Sequence, residues 1–339
     1  MSRIAVIGAG AWGTALASVV GRRGDHEVRL WALEKEVIES IKGSHTNELF
    51  LPGCALPACI QATHDFKDAI SGAEIVVSVM PSHHCRRTFE HMAQWLQPQM
   101  MFVSATKGVE NDTLLRMTQV IEEVVGRFCG FTPKIGAISG PSFAKEVAER
   151  HPTAVTVASR DSTLAARVQK DFSDPSFRVY MNDDLVGVEL GGALKNVIAI
   201  AAGVVSGLGL GHNSVAALIT RGLAEITRLA VACGAKPQTM FGLAGMGDLV
   251  LTCTGGLSRN RSVGEALGKG QALEQIIAGM HGMVAEGVLT TNAALGLARK
   301  QGVEMPITEQ MYAILHDGKS PHGAIRELMT RPGKVEDRF

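Results

Sequence analysis

The 339-residue chain has no excess of either charge. Lys plus Arg and Asp plus Glu number 33 each, which argues against a polyanion-binding surface, nucleic acid included, as the main function. It also lacks any CxxC pair. Six cysteines, Cys54, Cys59, Cys85, Cys129, Cys233 and Cys253, stand at no metal-ligand spacing with the eleven histidines. Reduced, mostly buried thiols are therefore expected, and no metal. MSRIAVIGAGAWG goes straight into an apolar strand pattern without a charged leader or cleavage site, so a cytoplasmic protein is expected. Long apolar runs are missing too. The most apolar segment, Val197 to Leu210, falls short of the ~20 residues a membrane span needs and is broken by Gly203, Ser206, Gly207 and Gly209; no membrane insertion is expected. Internal repeats and low-complexity tracts are absent.

What is present is length, apolar content and glycine. Hydrophobic residues make up 46% of the chain and charged residues 19%, ample for two cores at the usual ~100–200 residues per domain. The 38 glycines exceed the average usage of about 7%. Short β-branched runs, RIAVIG, EVRLWA, AEIVVSVM, MMFVSAT, KIGAIS, TAVTVAS and FRVYM, alternate with helical patterns. Near-continuously apolar strands separated by helices imply a parallel, doubly wound sheet covered on both faces. The clearest helix in this half is DTLLRMTQVIEEVVG. Leu114, Met117, Ile121 and Val124 recur at helical spacing, with Asn111 or Asp112 to cap it and Gly126 to end it. After about Asn182 the strand patterns stop. Helices are expected from Leu185 to Val205, Ser214 to Cys233, Arg259 to Leu267, Val284 to Lys300 and Ile307 to His316. The domains are accordingly placed at 1–188 and 189–330, with 331–339 as a frayed tail.

Gly8-x-Gly10-x-x-Gly13 follows the first strand directly and opens a helix. In that context Gly8 allows a tight turn, Gly10 removes a Cβ that would block a pyrophosphate, and Gly13 lets helix and strand pack closely. The helix N-terminus then supplies N–H groups and partial positive charge. The second strand should end in an acid for the adenosine ribose or a base for a 2′-phosphate. Trp31, Ala32 and Leu33 stand there instead, with Glu34 and Lys35 beyond, and the choice between NAD and NADP stays open.

A dinucleotide turn performs no chemistry by itself. Lys107 follows the fourth apolar strand at the edge where such sheets hold ligands. Gly140, Pro141 and Ser142 repeat a strand-to-helix turn in which Ser142 can cap. In the helical half, Ser258, Arg259 and Asn260 open a helix with a guanidinium beside free N–H groups, a phosphate site in charge and geometry, or else a capped surface helix. Asp248 lies among apolar neighbours, either functional or a cap for the LVLT turn. Lys195 sits in GGALKNVIAIAAG, which otherwise reads as buried helix. Its head is either catalytic or snorkelling to water, and the glycines before it read as clearance for substrate or cofactor. His83, His84 and His212 receive no role.

VIGAGAWGTALA, VMPSHH, SATKGVE, ISGPSFAKEV, ELGGALKNVIAIAAG, GLAGMGDLVLTCTG and LSRNR, in that order, closely resemble the soluble NAD(P)-dependent glycerol-3-phosphate dehydrogenase family over nearly the whole chain. The resemblance implies a Rossmann-type α/β domain, an all-α C-terminal domain like that of 6-phosphogluconate dehydrogenase, and a homodimer. It also implies reversible reduction of dihydroxyacetone phosphate to sn-glycerol 3-phosphate for phospholipid synthesis. Carried over by motif, Lys195 would be the acid/base, and Lys107, Gly140, Ser142, Asp248, Ser258, Arg259 and Asn260 would line the substrate. NAD or NADP would meet Gly8, Gly10, Ala11, Trp12, Gly13, Lys107, Ala144, Arg259, Val284 and Glu286. Relatives often carry His or Arg where this chain has Leu33, which weakens the case for strong NADP preference. The competing readings are a dehydrogenase of another small 3-hydroxy acid and a non-catalytic NAD(P)-sensing module.

Overall fold

A computed structural model of the chain describes residues 2–280, 285–333, 335 and 336. The chain divides into two compact units, Met1–Lys107 with Arg116–Leu185, and Gly108–Leu115 with Val186–Phe339. Of the expected tail, 334 and 337–339 lie outside the described residues.

In the first unit the strands are β1 (Ser2–Ile7), β2 (His26–Trp31), β3 (Thr46–Asn47), β4 (Leu51–Ala55), β5 (Ile60–Thr63), β6 (Ile75–Ser78), β7 (Met101–Ser104), β8 (Lys134–Ser139), β9 (Thr153–Ser159) and β10 (Phe177–Asn182). Its helices are α1 (Ala11–Gly21), α2 (Lys35–Ser44), α3 (Phe66–Ile70), α4 (Cys85–Met92), α5 (Met117–Cys129), α6 (Ala144–Ala148) and α7 (Ser162–Phe172). Eight strands form one sheet in the order β10-β9-β8-β7-β6-β1-β2-β5, while β3 and β4 pair with each other. Ile4 to Ile7 and Ile75 to Val77 are all buried, as a sheet covered on both faces requires. Leaving β1, the chain builds outward through β2, then returns to β6 on the other flank. The loops after β1 and β6 thus flank the point where strand order reverses, the place such sheets bind ligands.

Two expectations need correcting, and three strands were not expected. The sheet is not wholly parallel: β9 runs antiparallel to β8, and β10 parallel to β9. The only helix between β8 and β9 has five residues, a rise of roughly 7–8 Å. It cannot carry the chain back across a six-residue strand of about 20 Å, so β9 starts near where β8 ends and runs back. The DTLLRMTQVIEEVVG helix begins at Met117, not at Asn111 or Asp112, and passes through Gly126 to a left-handed Gly130. Leu114 takes a left-handed φ of 59°, because Gly108–Leu115 departs into the other unit. There Val109 joins the core and Leu114 packs against it. Its apolar spacing recorded burial, not a helix face. Finally, β5 and the β3–β4 ribbon carry too little β-branched pattern to have registered.

The second unit is helical: α8 (Leu185–Gly207), α9 (His212–Ala232), α10 (Pro237–Met240), a π-helical turn (Leu243–Gly247), α11 (Asp248–Thr254), α12 (Arg259–Gly268), α13 (Leu273–Ala278), α14 (Glu286–Gln301), α15 (Pro306–His316) and α16 (Pro321–Met329). Its axis is α8, buried along its length. Among the described residues this is the one single helix long and apolar enough to cross a membrane, and its most apolar window is wholly covered by protein. Glycines explain how closely α12 lies on it. A Cβ on Gly203 would fall 2.0 Å from the Arg261 carbonyl oxygen, and one on Gly264 would fall 1.9 Å from that of Ile200. The two backbones touch, and α12 carries its first residues to a place set by α8.

Candidate active site

The glycine turn of the first unit is built as its pattern demands. Gly8 has φ +119°, and a Cβ there would lie 2.2 Å from the Val79 carbonyl oxygen; a Cβ on Gly13 would lie 1.8 Å from that of Gly8. Gly10 differs, since a Cβ there would meet nothing within 4 Å. Gly8 and Gly13 shape the turn, and Gly10 leaves space over it. Beyond Gly10, α1 begins without a side-chain cap or an acidic residue in its first turn, so no side chain caps its first N–H groups at the dipole's positive end. The Trp12 indole N–H is buried with no partner. Asn47, which the sequence did not single out, braces the turn by donating to the Ala9 carbonyl at 2.8 Å and to Thr14 Oγ1 at 2.8 Å. Open space, uncapped amides and an orphan donor fit a bound dinucleotide pyrophosphate.

Two strands along, Thr106 Oγ1 donates to the Ser78 carbonyl and accepts from the Met80 amide, both at 3.2 Å. This ties together the loops after β6 and β7 and places Lys107 at the C-terminal edge. Gly140, after β8, has φ +149°. Ser142 does not cap as expected: its hydroxyl donates to the Gly140 carbonyl at 2.9 Å, and Phe143 occupies the N-cap of α6, with Ala144 as its first residue. The hydroxyl turns back because α6 starts one residue later than the motif suggests. At the end of β2, Trp31 stacks on Phe66 with centroids 4.4 Å apart, and Leu33 is 71% exposed.

In the second unit Lys195 is not snorkelling. It is 5% exposed, and its ammonium donates to the Asp248 carboxylate and, at 2.9 Å, to Thr252 Oγ1. Asp248, 1% exposed, is the first residue of α11 rather than its N-cap, and its carboxylate accepts from the lysine's ammonium. Thr252, one turn on, donates its own proton to the Asp248 carbonyl at 2.6 Å, which leaves a lone pair for the ammonium. Thr252 was missed in the sequence, although the i, i+4 spacing from Asp248 on an apolar helix could have disclosed it. Nor do the glycines before Lys195 all clear space for a ligand. A Cβ on Gly191 would lie 2.6 Å from the Ala244 carbonyl oxygen, so backbone already fills that room.

Ser258 caps α12 by accepting from Arg261 N at 3.2 Å. Arg259, first in the helix, still reaches solvent, yet neighbouring chain desolvates its guanidinium and lowers its pKa. No hydrogen bond or ion pair to a described residue compensates it. Asn260 is partly spent: its carbonyl oxygen accepts from Gly287 N at 2.9 Å, beside Glu286 at the start of α14. Val284 lies outside the described residues. The arrangement offers an ammonium able to give and take a proton, and a guanidinium and helix start suited to a phosphate.

A glycine turn at the reversal of a doubly wound sheet, followed by a helical unit that buries an ion-paired lysine, defines an NAD(P)-dependent oxidoreductase. The family model of the NAD-dependent glycerol-3-phosphate dehydrogenase N-terminus matches residues 3–165, and that of its C-terminus residues 184–326. Glycerol-3-phosphate dehydrogenase [NAD(P)+] of Koribacter versatilis is 69% identical, over 99% of each chain. That of Acidobacterium capsulatum is 56% identical, over 99% of this chain and 100% of its own. The crystal structure of glycerol-3-phosphate dehydrogenase from Coxiella burnetii superposes with a TM-score of 0.91 at 40% identity, covering 97% of this chain and 99% of that one. The chain belongs to the NAD-dependent glycerol-3-phosphate dehydrogenase family.

Proposed function

We propose that the protein interconverts dihydroxyacetone phosphate and sn-glycerol 3-phosphate, with Lys195 as the catalytic acid and base. The observation that carries this is the buried Lys195 ammonium held by Asp248 and Thr252. NADH or NADPH, when bound, supplies the hydride to the ketone carbon. As that carbon is reduced, its oxygen gathers negative charge, which the ammonium stabilises and then protonates. In the oxidative direction the same group takes up the hydroxyl proton as a neutral amine. Burial favours that neutral form and the Asp248 carboxylate opposes it, so the pair tunes the group for both directions. Thr252 fixes the direction in which the ammonium points.

To the substrate we assign Lys107, Gly140, Ser142, Asp248, Ser258, Arg259 and Asn260. Arg259 takes the phosphate, since it stands at the start of α12 with no hydrogen bond or ion pair to a described residue. That remote grip orients the reacting carbon although no bond changes at phosphorus. To the cofactor we assign Gly8, Gly10, Ala11, Trp12, Gly13, Lys107, Ala144, Arg259, Val284 and Glu286. A homodimer acting in the cytoplasm, outside the membrane, completes the proposal, which feeds phospholipid synthesis.

The test is oxidation of NADH and of NADPH followed with dihydroxyacetone phosphate and with a panel of 3-keto acids. Turnover of the phosphorylated ketone is expected. Its absence with both cofactors, or faster turnover of a keto acid, would overturn the assignment.

A further inference from the structure

Gly191 stands one turn before Lys195 on α8, so the two share a helix face. A Cβ there would come within 2.6 Å of the Ala244 carbonyl oxygen and 3.3 Å of the Gly245 Cα. The π-turn Leu243–Gly247 is thus seated on bare main chain. On its far side it is equally tight, since a Cβ on Gly245 would lie 2.2 Å from the Met240 carbonyl oxygen. Asp248 follows Gly247 directly as the first residue of α11, with no loop between. Where the turn sits decides where the carboxylate sits.

We propose that Gly191 is a positioning residue for the reaction: lacking a side chain, it lets the π-turn close on α8 and fixes the Asp248 carboxylate against the Lys195 ammonium. It touches no reacting atom. The role rests on Lys195 being the acid and base, and concerns how that group is tuned. A methyl group at position 191 makes the Ala244 carbonyl retreat by several tenths of an ångström, because a packed interior has no void to absorb it. Asp248 moves with the turn. A longer ion pair holds the ammonium less firmly, so Lys195 in the variant loses its proton at lower pH than in the parent. Beside this pair stand the Cys253 thiol on α11, which burial pushes up to about 12, and the Arg261 guanidinium on α12, which acts on that thiol. That thiol keeps its proton over about pH 6 to 10, the range open to a perturbed lysine.

The test is the pH profile of kcat/KM for dihydroxyacetone phosphate reduction in the parent, Gly191→Ala and Gly203→Ala. Gly203→Ala crowds the same helix at least as tightly, but against α12. In Gly191→Ala the alkaline limb is expected about one unit lower, a roughly tenfold loss above the limb with little change below it. NADH affinity by fluorescence titration should stay at the parent value, and Gly203→Ala should keep the parent's limb. An unshifted limb in folded Gly191→Ala overturns the proposal, as does an equal shift in Gly203→Ala. Should Gly191→Ala not fold, Gly245→Ala displaces the same turn from its Met240 side and must move the limb, in whichever direction; an unmoved limb or an unfolded Gly245→Ala also overturns the proposal. Lys195→Met separates the two readings. Activity retained there removes Lys195 from the chemistry, whereas an inactive Lys195→Met beside an unshifted Gly191→Ala removes only the role of Gly191.

Discussion

The glycine turn of the first unit and the lysine helix of the second both depend on glycine, and they put it to different ends. In the turn Gly8 and Gly13 close main chain on main chain so that Gly10 can leave open space over it, and the groups offered there are backbone amides at the start of α1. Around α8 the missing side chains bury main chain against main chain, at Gly191, Gly203 and Gly264. The working groups there are side chains whose spacing those contacts set. Backbone recognition is local and built within six residues. Side-chain chemistry here needs partners 53 residues apart, Lys195 and Asp248, brought together by packing.

The comparison breaks most sharply at the lysine. Lys195→Met should lose turnover by roughly 10²–10⁴-fold, the usual share of a general acid or base, while binding NADH normally by fluorescence titration. Taking the ammonium from the buried Asp248 carboxylate costs about 3–5 kcal/mol unless it takes up a proton, so circular dichroism must show the variant folded. Near-parent activity would remove Lys195 from the chemistry.

Arg259→Ala should raise KM for dihydroxyacetone phosphate by about 10- to 100-fold, the worth of one or two charge-assisted hydrogen bonds. An unchanged KM in steady-state assays would remove the phosphate assignment. Within the glycine turn itself, Gly10→Ala and Gly8→Ala should separate. The first enters open space, so its Tm should match the parent while Kd for NADH rises about tenfold or more, as expected if a Cβ obstructs the pyrophosphate. The second forces a left-handed residue against Val79 and should lower stability by about 1–3 kcal/mol. Equal melting temperatures would deny the two glycines different tasks.

A smaller effect concerns what holds the helical unit together. Glu225, 2% exposed, accepts from the Thr308 amide and hydroxyl, both at 3.2 Å, and from the Ile307 amide at 2.5 Å. This caps α15. Burial outweighs these bonds and raises its pKa from 4.5 to about 7. A carboxyl whose folded pKa is raised contributes stability that is full below pH 4.5 and is lost as pH climbs through 7. Parent Tm should therefore fall between pH 5 and 8 by a few degrees more than that of Glu225→Gln; parallel curves would refute this. Smallest of all, Leu33→Arg should tighten NADPH binding several-fold and leave NADH binding nearly unchanged, since the residue is exposed where a 2′-phosphate is met in such folds.

Much of the fold is legible in the order of residues alone. All seven strands marked by β-branched runs are present, and Leu185, Arg259 and His316 bound helices as their patterns indicate. Failures came where residues answer to distant neighbours. Leu114 looked helical because a core needed it, but that core belongs to the other unit. Ser142 looked like a cap, and its hydroxyl found a carbonyl two residues back. The antiparallel β9 followed from a helix too short to cross the sheet, a length that β-propensity does not encode. In the site, Lys195 stood out as a charge in apolar helix, and Arg259 as a guanidinium at a helix start. Thr252 and Asn47 are ordinary residues made important by what they face.

By itself the sequence determined the dinucleotide turn, the change from alternating to helical units, and an unexplained lysine in apolar helix. Each follows from local rules of dihedral angle, periodicity and desolvation. Only the tertiary structure decided that Asp248 and Thr252 hold that lysine, that Gly191 makes room for backbone, and that Arg259 has no partner among the described residues. Those are distances between residues far apart in the chain, and they exist only once the helices have packed.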